Sequence, residues 1–322
     1  MVKRMKISPF VLKPAFRYGS QTPWGGSELS RLFHKETPDP RTGESLEMSV
    51  IPSLESTDEN GTPLSKLISQ YGTDLTGTAV HGEFPLLLKL IDARERLSVQ
   101  VHPDDSYAAA NENKLGKTEA WVILACKPDS SIVYGLREDV DPDILKAACE
   151  SGTGVEELLN YAPVHVGDVF YIPAGMIHAI GEGIVLYEIQ QSSDVTYRFY
   201  DWNRTDAAGN KRALHIRQAL DVARYDLDKG RAVPRELSDP NCKRELLLDT
   251  PHFKLQRLLD CLSLPFTSHE ESFSVLTALS DAIIECDQEK IQLLEGTTVF
   301  IPANCKDFRL TAKHCLLAEP AC

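Results

Sequence analysis

The segment "GDVFYIPAGMIH" at 167–178 has a counterpart further along the chain in "GTTVFIPANCKD" at 296–307. In both, a glycine stands six positions before a proline, and the aromatic, isoleucine, proline, alanine order is kept. Each apolar run is too short for a helix and is bounded by turn residues, so each copy reads as one strand. A β unit that recurs in this way predicts two related β-barrels. The second copy has Asp307 where the first has His178, and nothing like "QVH" lies upstream of it. Any site carried by the first unit is therefore expected to be absent from the second.

The rest of the chain fits a mainly β reading. Residues 1–56 alternate short apolar pieces with Gly, Pro and Ser, which predicts irregular β structure joined by loops. "PLSKLISQYG" predicts a helix stopped by Gly72, and "FPLLLKLIDARERLSVQVHP" two strands around a polar turn. "WVILACKPDSSIVYGL", with Pro128 and Asp129 at its middle, reads as a hairpin. "DPDILKAACESG" and "GVEELLNYA" have helical spacing with acidic starts, and strands resume at "HVGDVFYIPAG" and "GIVLYEIQQSSDVTYRFYD". "LHIRQALDVARYDL" reads as an amphipathic helix and "DKGRAVPRELSDPNC" as a linker before a strand-rich remainder.

With 42% hydrophobic and 25% charged residues, the 322-residue chain has ordinary globular composition. A formal charge of −13 disfavours nucleic acid and anionic membranes as partners, so an anionic substrate would need local cations. No run is long enough to span a bilayer, and Lys13 and Pro14 interrupt the apolar patch near the start. The eight scattered cysteines form no CxxC pair and predict reduced thiols in a cytoplasmic protein, with Cys322 exposed at the tail.

One constellation carries chemistry. Gln100 and His102 alternate along a strand and so share a face. Glu119 follows seventeen positions after His102, and Gly167, Pro173 and Gly175 frame His178. Two imidazoles, a carboxylate and an amide oxygen suit zinc, and are compatible with manganese, iron or cobalt. Such a set keeps net positive charge and an open position, the pattern of a catalytic metal site. The remaining histidines (34, 81, 165, 215, 252, 269, 314) fit no ligand spacing.

At this point the chain resembles a known family. "PWGG", "FPLLLKLIDARERLSVQVHPDD", "LGKTEAWVIL", "VGDVFYIPAGMIHAIGEG" and "EIQQSSDVTYRFYDW" are together similar to the type I phosphomannose isomerases of the cupin superfamily, in their short bacterial form. The resemblance implies a catalytic cupin (jelly-roll) β-barrel with a helical insertion over 1–230, a linker at 231–244, and a smaller C-terminal cupin-like β-barrel over 245–322. It implies a zinc-dependent aldose–ketose isomerase acting on mannose 6-phosphate and fructose 6-phosphate, with one Zn2+ per chain held by Gln100, His102, Glu119 and His178.

The resemblance also assigns roles around that ion. Glu188 matches a pocket carboxylate and is the first candidate for the base that moves a proton between adjacent carbons. Lys117 and Arg198 match residues that face the substrate, and Asp194 stands at the spacing of a residue that orients the arginine. Ser98, two before Gln100, is a candidate for the phosphate or sugar, and Trp24 for stacking on the pyranose, with Gly25 and Gly26 allowing close backbone approach. Some longer relatives have a histidine before the lysine of "GKTE"; here Gly116 stands there. A cupin oxygenase and a sugar-binding cupin without turnover are the alternative readings; the first has no use for Lys117 with Arg198, and the second would be favoured by loss of metal ligands. The expected partner is a small phosphosugar, and monomer and homodimer are both compatible with the sequence.

Overall fold

The computed structural model describes residues 6–205, 208–267, 269–287 and 289–321, so Cys322 lies outside the described residues. The architecture is mainly β, as expected, and is built from three antiparallel sheets. A six-stranded sheet runs in the order Ala15–Tyr18, Thr42–Met48, Leu86–Ala93, Ile184–Gln191, Glu119–Cys126, Val169–Ile172. A five-stranded sheet runs Tyr197–Tyr200, Val99–Val101, His178–Ala179, Ser131–Leu136, Leu159–Pro163. The third, nine-stranded, sheet holds the C-terminal strands from Arg235–Leu237 onward and takes in Phe10–Leu12, which pairs with Thr298–Ile301.

Both faces of the six-stranded sheet are buried, which explains why its strands read as continuous apolar runs. On Leu86–Ala93, residues Leu86, Leu88 and Leu90 pack toward the C-terminal sheet with Phe253, Val275 and Phe300. Ile91 and Ala93 point the other way and pack with Trp121, Phe170 and Tyr134 between the six- and five-stranded sheets. Strands Glu119–Cys126 and Ile184–Gln191 divide in the same manner. That second, inner face also carries Lys89, Glu119 and Glu188, whereas Asp92 has the parity of Leu88 and Leu90 and lies on the other face.

The two copies of the glycine–proline segment do form equivalent strands, Val169–Ile172 and Thr298–Ile301, preceded by Gly167 at φ 92° and Gly296 at φ 88°. Other local readings change. Glu119–Cys126 and Ser131–Leu136 are not a hairpin: the turn around Asp129 carries the chain from the six-stranded to the five-stranded sheet. Pro142–Ser151 is a helix, with Asp141 accepting from the Ile144 N–H at 2.8 Å and Gly152 in the left-handed conformation at its end. "GVEELLNYA", however, makes only a 3-10 turn, Val155–Leu158, before the edge strand Leu159–Pro163. Within 1–56, Glu28–Phe33 is a short helix, and within 231–244, Arg235–Leu237 is a strand. Among the described residues, no helix is long and apolar enough to cross a membrane.

Candidate active site

The site lies between the six- and five-stranded sheets. On the five-stranded sheet, Gln100 is directly opposite His178 on one side and Arg198 on the other. Directly opposed residues in an antiparallel sheet share a face, so these three side chains point into the same space. On the facing sheet, Glu188 is opposite Lys89 on one neighbour and Trp121 on the other, with Glu119 two residues from Trp121 on the same face. A cavity of about 230 Å³ opens between them, lined by Gln100, Lys117, Glu188 and Arg198 among others.

Below the cavity floor, His102, Glu119 and His178 converge, each buried. His178 Nε2 lies 3.3 Å from Glu119 Oε1, and His102 Nε2 lies 3.4 Å from Glu119 Oε2. Two ligand atoms about 2.0–2.1 Å from a shared ion at tetrahedral angles lie about 3.3 Å apart, so the spacing suits a metal of zinc size. His178 Nδ1 donates to the Met176 carbonyl at 2.8 Å, which leaves Nε2 as a bare lone pair. That Nε2 is buried without a hydrogen-bond partner, a costly arrangement for a purely structural histidine. The residues therefore fit a divalent cation. Among the described residues, they are the one such group of His, Cys, Asp and Glu side chains, and Asp307, at the end of the second glycine–proline segment, instead pairs with Lys6 at 3.3 Å.

The electrostatics agree. Burial and the adjacent Lys117 ammonium push the His102 imidazole down to about 3, and burial lowers His178 as well, so both rings are neutral donors at pH 7. Burial works against ionisation of Glu119, but Lys117 and the two imidazoles outweigh it and hold the carboxyl well below its ordinary range. Lys117 Nζ donates to Glu119 Oε2 at 2.8 Å and lies 2.8 Å from His102 Nε2, so it touches the triad while also lining the cavity. Glu188 behaves oppositely: burial and the nearby Glu119 raise it, despite Lys89 and Lys117.

Residues 12–125 match the family model for the type I phosphomannose isomerase catalytic domain. Over 301 residues the chain is 36% identical to the mannose-6-phosphate isomerase of Streptococcus mutans, an alignment covering 90% of this chain and 94% of that protein. The chain belongs to the type I phosphomannose isomerase family. Mannose-6-phosphate isomerase ManA of Bacillus subtilis is 40% identical over 222 residues, covering 68% of this chain and 69% of that one. The crystal structure of the mannose 6-phosphate isomerase from Bacillus subtilis superposes with a TM-score of 0.88 at 31% identity, covering 97% of this chain and 99% of that chain.

Within this phosphomannose isomerase framework, the residues singled out in the sequence are placed as follows. Arg198 Nε donates to Ser98 Oγ at 3.0 Å, and both line the cavity. Asp194 lines it too, but its partner is Lys114, at 2.5 Å, and not the arginine four residues on. The strand geometry explains this: Arg198 is turned inward opposite Gln100, whereas Asp194 lies in the preceding loop. Trp24 contributes a wall yet is only 4% exposed, packed in the inner core. Gly25 and Gly26 approach the protein itself: a Cβ at Gly25 would lie 2.5 Å from the Gly43 nitrogen, and one at Gly26 2.6 Å from Asp92 Oδ2. Gly116 is equally confined, since a Cβ there would meet the Asp104 carbonyl carbon at 2.6 Å, so the chain has no room for a side chain before Lys117.

Sequence reasoning missed Arg17, Glu44, Lys89 and Arg212, all of which line the cavity. For Lys89 a signal exists, a lysine inside "LLLKLI", because a charge in an otherwise apolar strand must find a partner. His215 fits no ligand spacing, yet it frames Arg198: its Nδ1 accepts from the Arg198 N–H at 3.3 Å, and its own backbone N–H donates to the Arg198 carbonyl at 2.7 Å.

Proposed function

We propose that this chain interconverts mannose 6-phosphate and fructose 6-phosphate through an enediolate, using a zinc ion held by Gln100, His102, Glu119 and His178. The observation that supports this most is the bare, buried His178 Nε2 aimed at Glu119 beneath a cavity that carries both a carboxylate and an arginine. When bound there, zinc would supply Lewis-acid stabilisation for negative charge developing on the substrate's carbonyl and hydroxyl oxygens.

The chain's residues divide the remaining work. Glu188 takes the proton from C2 of the open-chain aldose and returns it to C1, while the hydroxyl proton passes from O2 to O1, so the aldose becomes the ketose with atoms and electrons conserved. Its upward shift suits a base that must also give the proton back. Lys117 places a positive charge between the triad and the cavity, where enediolate charge builds up. Arg198, steadied by Ser98, holds the phosphate at the far end and so fixes the reacting carbons. Asp194, bound to Lys114, shapes the rim, and Trp24 forms a wall. Residues 1–230 are proposed to carry this chemistry and 245–322 to complete the fold. The seven free cysteines among the described residues accord with a cytoplasmic setting.

The test is a coupled isomerisation assay on mannose 6-phosphate with chelator titration, zinc restoration and an Arg198→Ala variant. Activity should vanish with chelator, return with zinc, and fall in the variant mainly through KM. Chelator-insensitive turnover, or a metal-replete protein that leaves mannose 6-phosphate unchanged, refutes the proposal.

A further inference from the structure

A row of polar side chains crosses the inner face of the six-stranded sheet. Arg17 is directly opposite Glu44, Lys89 is opposite Glu188, and Glu188 is opposite Trp121; Glu44 is opposite Ile91, one inward position along from Lys89. Arg17 donates to Glu44 Oε2 at 3.2 Å, and Lys89 Nζ lies 4.0 Å from that same oxygen. On its other side Lys89 donates to Glu188 Oε1 at 2.9 Å, while Trp121 Nε1 donates to Glu188 Oε2 at 2.8 Å. Both carboxylate oxygens of Glu188 are thus engaged by donors on neighbouring strands. Lys89 is 5% exposed and Glu188 3%, and a buried lysine is tolerated only where its partners repay the lost hydration.

We propose that Lys89 is a positioning residue: it clamps the Glu188 carboxylate in one orientation and supplies the charge that lets it act as a base, while Glu44, tied to Arg17, holds Lys89 in register. This rests on the reading of Glu188 as the proton-transferring group. The charged groups that face Glu188 are Lys89 on the adjacent strand, Glu44 and Arg17 beyond it, Lys117 and Glu119 on the other flank, and Arg198, Arg212 and Asp194 around the cavity. Of these, Lys89 is the cation in direct contact. Burial and Glu119 raise Glu188, and Lys89 is the largest opposing influence.

The test measures kcat and KM against pH for the zinc-loaded protein, for Lys89→Met and for Glu44→Gln, with metal content assayed at every pH so that loss of the ion is not read as titration of Glu188. Removing an opposite charge at contact distance moves a carboxylate by about one unit or more. Lys89→Met should therefore move the acidic limb of kcat/KM upward by at least that amount and lower kcat at neutral pH, with KM little changed. Lys89→Arg should bring the limb back. Glu44→Gln removes a negative charge from the same row and should move the limb downward; if Lys89→Met fails to fold, this variant decides alone, and an unmoved limb overturns the proposal. A Lys89→Met limb identical to the parent's, or an effect on KM alone, also overturns it, the latter because Lys89 would then be binding the substrate's anion. If the unaltered protein does not isomerise mannose 6-phosphate, it is the proposed function that fails. The clamp is then judged by NMR of carboxyl-labelled glutamate, where a Glu188 titration unchanged in Lys89→Met would overturn it.

Discussion

Lys35 and Glu47 form a buried ion pair where the six-stranded sheet meets the C-terminal sheet, and its energetics can be worked through. Lys35 Nζ donates to Glu47 Oε2 and to the Gly296 carbonyl, each at 2.7 Å. Glu47 is 0% exposed and also accepts from Ser45 Oγ at 2.6 Å and Thr298 Oγ1 at 2.9 Å. Lys35→Met keeps the aliphatic stem but leaves the carboxylate with two hydroxyl donors and no counter-charge, at a cost of about 3–5 kcal/mol. With an unfolding entropy of about 2.1 cal/mol/K per residue, the 322 residues give roughly 0.7 kcal/mol/K. The melting temperature should therefore fall by about 4–7 °C in scanning calorimetry if the chain unfolds as one unit. Pairing Lys35→Met with Glu47→Leu removes both charges, and because apolar replacements of buried pairs are often neutral or better, the double variant should recover most of the loss. A single variant that melts within a degree of the parent, or a double variant less stable than the single, would show that the pair is not a desolvated, mutually dependent unit.

Two further outcomes are expected. Asp92 accepts from the Glu28 N–H at 2.7 Å, and burial, with the Glu28 charge, pushes its carboxyl up to about 6. The folded state then holds a proton that the unfolded state has already released, so the group costs nothing below about 3.8 and its full penalty is present above pH 6. Asp92→Asn, whose amide oxygen still accepts that N–H, should raise the melting temperature at pH 7.5 and leave it unchanged near pH 3.5; a uniform shift across pH would contradict this. Gly175, at φ 88°, donates to the His102 carbonyl at 2.8 Å, and a Cβ on it would lie 2.7 Å from Arg224 Cγ and 3.0 Å from the Val222 carbonyl oxygen. Gly175→Ala should displace the turn that leads into His178 and is hydrogen-bonded to the His102 carbonyl, and weaken metal retention, read by elemental analysis after dialysis against a graded chelator; parental retention would mean that the turn absorbs the change elsewhere.

The local patterns of the chain determined a good deal. Alternation along a strand puts Gln100 and His102 on one face wherever that strand lies, and the Gly-Pro-Gly frame sets the turn before His178, so these three metal-ligand candidates were legible as short-range geometry, whereas Glu119, seventeen positions after His102, was not. His102 and His178 converge with Glu119 in the structure, and the glycine–proline segment does recur as two equivalent strands. The identity of each strand's neighbour was not legible. Residues 86–91, "LLLKLI", face two different cores at once, so their hydrophobicity gives no direction, and only the sheet order places Lys89 against Glu188. The same is true of Asp194, whose partner Lys114 is eighty positions away, and of Gly25, whose backbone packs closely against Gly43. Side-chain direction along a strand is fixed by the backbone's own period, whereas partners across strands are chosen by how three sheets pack together, and that choice is made only when the whole chain has folded.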